Sequence, residues 1–157
     1  MGINIYVLSK VEFDGLLQRN NIDDMNVDEF ITVAFISIND SSGDYYKNPL
    51  FRINHHNVLN LWFDDVEKDG QLSPTNKEET KAFSSSQANT VIEFLNSNKS
   101  AKTLFVHCAA GISRSGAVGQ FALDYLKGNK ESFVTNNKHI LPNGRVLRLL
   151  NEALRNR

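Results

Sequence analysis

The chain of 157 residues has a single cysteine and no long run of apolar residues. One cysteine excludes an internal disulfide, and a free thiol survives best in a reducing compartment, so we expect an intracellular, cytoplasmic protein. No stretch approaches the roughly 20 apolar residues of a membrane-spanning helix. The first residues, MGINIY, lack the layout of a secretory signal, and Tyr6 stands where a myristoylation motif has serine or threonine. We therefore expect neither export nor a membrane partner.

Side chains that bind metal or nucleic acid are poorly grouped. His55 and His56 are adjacent, but neighbouring side chains point in different directions on most backbones. No other ligand group accompanies these histidines, so we expect no metal and no cofactor. Basic residues form no cluster interleaved with aromatic residues, which argues against nucleic acid as a partner.

Charge is unevenly distributed along the chain, although the net charge is only -1. Residues 1–97 carry 7 basic and 15 acidic side chains, whereas residues 98–157 carry 10 basic and 3 acidic ones. A positive field around a site in the second part would favour phosphorylated ligands. If the two parts interleave on folding, the asymmetry averages out.

The composition suits one folded domain spanning residues 1–157. A hydrophobic content of 41% and a charged content of 22% are ordinary for a globular protein. A chain of this length buries about two-thirds of its unfolded surface around one core. Strand-like and helix-like segments alternate along it, which predicts an α/β fold with a central, mostly parallel sheet and helices on both faces.

Runs of β-branched and aromatic residues predict four buried strands, at residues 3–8, 30–38, 58–63 and 103–107. Apolar residues at helical spacing predict four helices. The first covers residues 10–19, and the second starts near Ser73-Pro74, with Ser73 as its cap. A third follows residue 116 and stops near Gly128. The last runs from Asn143 and buries four residues, namely Val146, Leu149, Leu150 and Leu154.

The most informative segment is VHCAAGISRSG, at residues 106–116, between a strand-like and a helix-like run. Its five residues between Cys108 and Arg114 can turn their amides inward and lead into a helix N-terminus, which together form an anion site. Cys108 would lie beneath the anion as nucleophile, and positive surroundings would favour its thiolate. Arg114 would grip two phosphate oxygens with its planar fork. The amides concerned are those of Ala109, Ala110, Gly111, Ile112, Ser113 and Arg114.

The segment HCAAGISRSG resembles the signature loop of the protein tyrosine phosphatase superfamily, in its compact dual-specificity-like form. His107, Cys108, Gly111, Arg114 and Ser115 all stand in family positions. The resemblance implies a metal-independent phosphomonoesterase that forms a phosphocysteine intermediate. Its substrate would be a phosphorylated protein or a small phosphomonoester, and phosphotyrosine, phosphoserine or phosphothreonine and non-protein substrates all remain open.

The resemblance also implies roles for the two residues that flank the loop. Ser115 would donate a hydrogen bond to the sulfur as it leaves the phosphoenzyme, and a simple helix cap is compatible with this role. His107 would form a hydrogen bond to the backbone and hold the loop in place. A core histidine whose hydrogen bonds are satisfied explains this residue as well.

Phosphoester cleavage also needs an acid that protonates the leaving oxygen. Residues 61–65, LWFDD, end a predicted strand and supply two carboxylates. Asp65 best matches the family's general acid, because the strand end precedes it by one variable residue. Asp64 is the alternative, and both would also suit an ordinary turn.

A second similarity lies further along the chain. Ile140-Leu141-Pro142-Asn143 resembles the Ile-x-Pro-Asn segment of dual-specificity phosphatases. The asparagine of that segment supports the residues of the active site without contacting the substrate. A helix N-cap explains Asn143 equally well. Two other functions stay open: a non-catalytic phosphate-binding module (a pseudophosphatase) and a rhodanese-like sulfur transferase.

Overall fold

The computed structural model describes residues 2–73 and 79–157. Within these residues, four strands form a sheet in the order β1-β4-β2-β3, and every neighbouring pair is parallel. The register pairs His107 with both Leu8 and Ser37, so three strands end close together at one edge of the sheet. The strands are β1 Asn4–Ser9, β2 Val33–Asn39, β3 Val58–Trp62 and β4 Thr103–Cys108.

Five α-helices and one short 3₁₀ helix, Val27–Glu29, connect and cover these strands in the described part of the chain. None of these helices is long and apolar enough to cross a bilayer. The α-helices are α1 Lys10–Arg19, α2 Ser85–Ser97, α3 Arg114–Tyr125, α4 Lys130–Asn136 and α5 Gly144–Arg155.

Both faces of the sheet are packed, as the alternation of side chains along a strand allows. On β2, Ala34, Ile36 and Ile38 lie in the larger core, which α2, α3 and α5 cover. Phe35 points to the other face and contacts Phe13 of α1, with ring centroids 5.8 Å apart. The predicted α/β fold with helices on both faces of a parallel sheet is therefore confirmed.

Capping residues explain where the first two helices begin. Ser9 and Glu12 form a reciprocal capping box, so α1 starts at Lys10, as predicted. The predicted start of α2 near Ser73-Pro74 is wrong: residues 79–84 are not helical, and Pro74 lies outside the described residues. Ser84 forms a capping box with Gln87, so the serine-rich stretch begins the helix instead of lying within it.

The C-terminal part departs from the prediction in two places. Leu154 is exposed, and the neighbouring Ala153 takes its place in the core. Helix α4 was not predicted, since seven residues are too few to show a helical period, although Asn129 caps it with its side chain. Helix α5 starts directly after Asn143, as expected.

Candidate active site

The loop between β4 and α3 lies at the carboxyl edge of the sheet, where parallel α/β proteins bind ligands. Strand β4 ends at Cys108 and α3 begins at Arg114, so residues 109–113 form the turn between them. Within the described residues, the amides of Ala109, Ala110, Ile112, Ser113 and Arg114 donate no hydrogen bond. Unpaired amides at a helix N-terminus are suited to bind an anion.

Cys108 lies beneath this loop with 2% of its surface exposed. Its Sγ is 3.0 Å from Ser115 Oγ and accepts a hydrogen bond from the Gly111 amide at 3.3 Å. Two polar hydrogens therefore converge on the sulfur whenever it is ionised, because the Ser115 hydroxyl then donates. This geometry is compatible with the role expected for Ser115.

Gly111 has a positive φ of 72°, which side chains other than glycine adopt only with strain. A Cβ at this position would lie 2.4 Å from both the Leu8 carbonyl carbon and the Ser9 nitrogen. The loop is therefore packed against the backbone where β1 passes into α1. The sequence placed Gly111 in a family position and among the loop amides, and it did not predict this contact.

We expect Gly111→Ala to lower the free energy of unfolding by about 3 kcal/mol or more, because strain and overpacking add. Gly70 is a matched control: its φ is also positive, at 80°, and no described atom lies within 4 Å of a Cβ built there. Gly70→Ala should lower the free energy of unfolding only by the backbone strain, about 1–2 kcal/mol. Urea unfolding of both variants tests this expectation, and equal losses would contradict it.

Arg114 is the first residue of α3 and is 2% exposed. Its Nη1 donates to Asp40 Oδ1 at 2.7 Å and to the Phe63 carbonyl at 2.8 Å. Its Nε is buried and has no hydrogen-bond partner in the described part of the chain. Burial alone would lower the pKa of Arg114, but the charges of Cys108, Asp40 and Asp65 raise it above its usual value. A buried arginine with an unused N–H group is suited to grip an oxyanion.

His107 is fully buried at the end of β4. Burial lowers the pKa of His107 to about 3. The hydrogen bond to Cys108 opposes this shift, whereas the positive charges of Lys10 and Arg114 add to it. The ring is therefore neutral. Nδ1 lies 3.3 Å from the Cys108 carbonyl, which can only accept, so Nδ1 carries the hydrogen and Nε2 accepts from Ser37 Oγ at 2.7 Å. His107 is thus a core residue whose two ring nitrogens are both hydrogen-bonded, one of them to the backbone of Cys108.

Asp65 reaches the loop from the segment after β3. Its Oδ1 accepts hydrogen bonds from Ser113 Oγ at 2.7 Å and from Asn143 Nδ2 at 2.9 Å. Its Oδ2 has no hydrogen bond to a described residue. Because both donors favour an unprotonated Oδ1, a proton on this carboxyl group belongs on Oδ2. Asn143 also caps α5 by accepting from the Val146 amide, and its hydrogen bond to Asp65 is compatible with the supporting role expected for it.

Asp64 has a different environment, although it is adjacent in sequence. Its side chain is completely buried and accepts from the Ser41 amide and hydroxyl and from the Lys81 amide. Both carboxylate oxygens are therefore occupied as acceptors, which suits a structural role. Asp65, by contrast, is bonded to the loop through Ser113.

Two residues of this region were not predicted. Asp40 follows β2 and pairs with Arg114, and its place after a predicted strand was the available signal. Lys10 begins α1; its amide bonds the Ala109 carbonyl, and its Nζ donates to the carbonyls of Tyr45 and Asn48. Burial lowers the pKa of Lys10, although Asp14 and Asp40 oppose this shift. Lys10 thus ties the segment after Asp40 to the loop.

The two adjacent histidines lie elsewhere. His55 Nε2 bonds Asp24 at 2.8 Å, and its Nδ1 lies 3.2 Å from Asp28. Burial would lower the pKa of His55, but hydrogen bonds to these two carboxylates raise it. Within the described residues, no group of three or more histidine, cysteine or acidic side chains is arranged to hold a metal ion.

Comparison with solved structures gives a match to the crystal structure of a PTP-2 phosphatase from Cydia pomonella, with a TM-score of 0.55. The match covers 95% of this chain and 84% of that one, at 15% sequence identity. Neither a scan of protein-family models nor a search of curated protein sequences gives a match. At this identity the similarity shows the fold alone, an α/β fold shared with that phosphatase.

Proposed function

We propose that this chain is a cysteine-dependent phosphomonoesterase of the protein tyrosine or dual-specificity type, acting through a phosphocysteine. The observation that carries the proposal is the convergence at one loop of Cys108 Sγ, unpaired backbone amides and the unused Nε of Arg114. These are the parts that in-line phosphoryl transfer needs: a nucleophile, and charge stabilisation on the equatorial oxygens. The structural similarity to a phosphatase adds support.

In the first step, the Cys108 thiolate attacks phosphorus and the bond to the leaving oxygen breaks. Asp65 supplies its Oδ2 proton to that oxygen, so the alcohol or phenol departs neutral. The products are a phosphocysteine and an Asp65 carboxylate. Arg114 and the loop amides stabilise the charge on the transferred group.

In the second step, the Asp65 carboxylate removes a proton from water, and the resulting oxygen nucleophile attacks the phosphocysteine. The sulfur–phosphorus bond breaks, inorganic phosphate forms, and the thiolate and the protonated Asp65 are restored. The Ser115 hydroxyl donates a hydrogen bond to the departing sulfur and so makes the sulfur a better leaving group. The cycle consumes one water and needs no metal or cofactor in the proposed mechanism.

A panel of substrates tests the proposal. We expect turnover of aryl phosphates and of at least one class among phosphopeptides, phosphoinositides and nucleotides, with rates unchanged by a chelator. Release of inorganic phosphate is the measurement. Phosphate binding without any turnover would contradict the proposed phosphomonoesterase activity and indicate a binding module instead. Turnover of thiosulfate alone would indicate a sulfur transferase.

A further inference from the structure

We propose that Asp40 positions Arg114, by fixing the guanidinium plane so that its Nε and Nη2 edge faces the bound oxyanion. The inference rests on the proposed phosphate site and assigns a residue that the sequence did not single out. Asp40 does not touch the substrate in this proposal, and it acts through the arginine.

The sheet brings Asp40 to the loop. Strands β2 and β4 are parallel neighbours with Ser37 in register with His107. Asp40 lies three residues beyond Ser37, as Ala110 lies three residues beyond His107. Both therefore lie just past the same edge, and Asp40 is only 1% exposed there. A charged carboxylate is rarely buried this completely unless it is paired.

The pairing uses a single nitrogen of Arg114. Nη1 carries two hydrogens, and its two acceptors are Asp40 Oδ1 at 2.7 Å and the Phe63 carbonyl at 2.8 Å. Because guanidinium is planar, two acceptors on one nitrogen fix the orientation of the whole group. With either acceptor alone, the group can tilt about the remaining hydrogen bond.

This arrangement leaves the opposite edge of the guanidinium available. Nε has no partner in the described part of the chain, and no hydrogen bond joins Nη2 to a described residue. The N–H groups of Nε and Nη2 point in the same direction, which is the fork that binds two oxygens of a phosphate. Asp40 thus occupies the rear nitrogen and leaves the bidentate edge for the ligand.

Asp40 also neutralises a buried cation, and this role alone would make it merely structural. The two roles differ in what an asparagine side chain can replace. The Asp40→Asn variant lacks the charge but keeps an oxygen that accepts from Nη1, whereas Asp40→Ala removes both. A positioning role therefore predicts that alanine impairs anion binding and that asparagine does not.

The test measures tungstate binding by calorimetry, in the Cys108→Ser protein so that no covalent step intervenes. We expect Asp40→Ala to weaken tungstate binding by about 10-fold to 100-fold, the usual effect of misplacing a charged hydrogen-bonding group. Asp40→Asn should keep the affinity within about threefold. Both variants should melt at a lower temperature, because each removes the carboxylate charge that is paired with the buried arginine.

Asp24→Ala serves as the control, since Asp24 belongs to an ion pair with His55 beyond the end of α1. It should lower the melting temperature without changing tungstate affinity. The proposal is overturned if Asp40→Ala binds tungstate as tightly as the parent protein, or if alanine and asparagine weaken binding equally. Because tungstate binding requires no turnover, failure of the phosphatase assay would leave this result interpretable on its own.

Discussion

Cys108→Ser should lower phosphomonoester turnover by at least about 10⁴-fold, the scale expected when a nucleophile is removed. Among the described residues, the adjacent His107 cannot act as general base for a serine hydroxyl here, because its ring nitrogens are already bonded to Ser37 and to backbone. The substitution is nearly isosteric, so the loop and its amides keep their geometry. Steady-state release of phosphate from an aryl phosphate measures the loss.

Anion binding should survive this substitution. Among the loop amides only that of Gly111 donates to the sulfur, and a serine oxygen can accept this hydrogen bond in its place. A neutral hydroxyl also repels a dianion less than a thiolate does. Tungstate affinity should therefore stay within about tenfold of the wild-type value, measured by calorimetry. Unchanged turnover in the variant would exclude Cys108 as the nucleophile, and loss of both turnover and binding would point to a disrupted loop.

We expect Asp65→Asn to lower kcat by about 10²-fold to 10⁴-fold, the range of general acid catalysis. An asparagine oxygen still accepts from Ser113 and Asn143, so the side chain keeps its place but has no acidic proton. The loss should be larger for alkyl phosphates than for nitrophenyl phosphate, because a good leaving group needs little protonation. Rates for a series of leaving groups measure this dependence.

Asp64→Asn provides the matched comparison. An amide nitrogen in place of either oxygen would face hydrogen-bond donors from Ser41 or Lys81, so we expect a loss of about 1–3 kcal/mol in stability. Its kcat should fall by less than that of Asp65→Asn. The assignment of the acid is reversed if Asp64→Asn shows the large loss in kcat and Asp65→Asn does not.

The parts of this site that the sequence predicted are local in the chain. Cys108 and Arg114 are joined by one short turn, so their spacing already implies that both face the same ligand. The strand and helix patterns around this turn are strong, and the predicted order of elements is the observed one apart from α4 and the short 3₁₀ helix. Asn143 was singled out by its resemblance to the Ile-x-Pro-Asn segment, and the helix N-cap, offered as the other explanation, is present in the structure.

The parts that the sequence missed depend on contacts between distant segments. Asp40 meets Arg114 only because β2 and β4 are neighbours in the sheet, and strand order does not follow from a single sequence. Gly111 is required by the backbone of Leu8 and Ser9, about a hundred residues earlier in the chain. The start of α2 was misplaced because Ser73-Pro74 and Ser84 both look like helix caps, and only the fold decides between them.

The most direct test of the account is detection of the phosphoryl group on Cys108. In Asp65→Asn, nitrophenyl phosphate can still form the phosphocysteine, whereas its hydrolysis lacks the base, so the intermediate should accumulate. Acid quenching followed by mass spectrometry should find one added phosphoryl group, on the peptide that contains Cys108, and none in the same protein with Cys108→Ser. Steady turnover with no covalent phosphoryl group on Cys108 at any time would contradict the account.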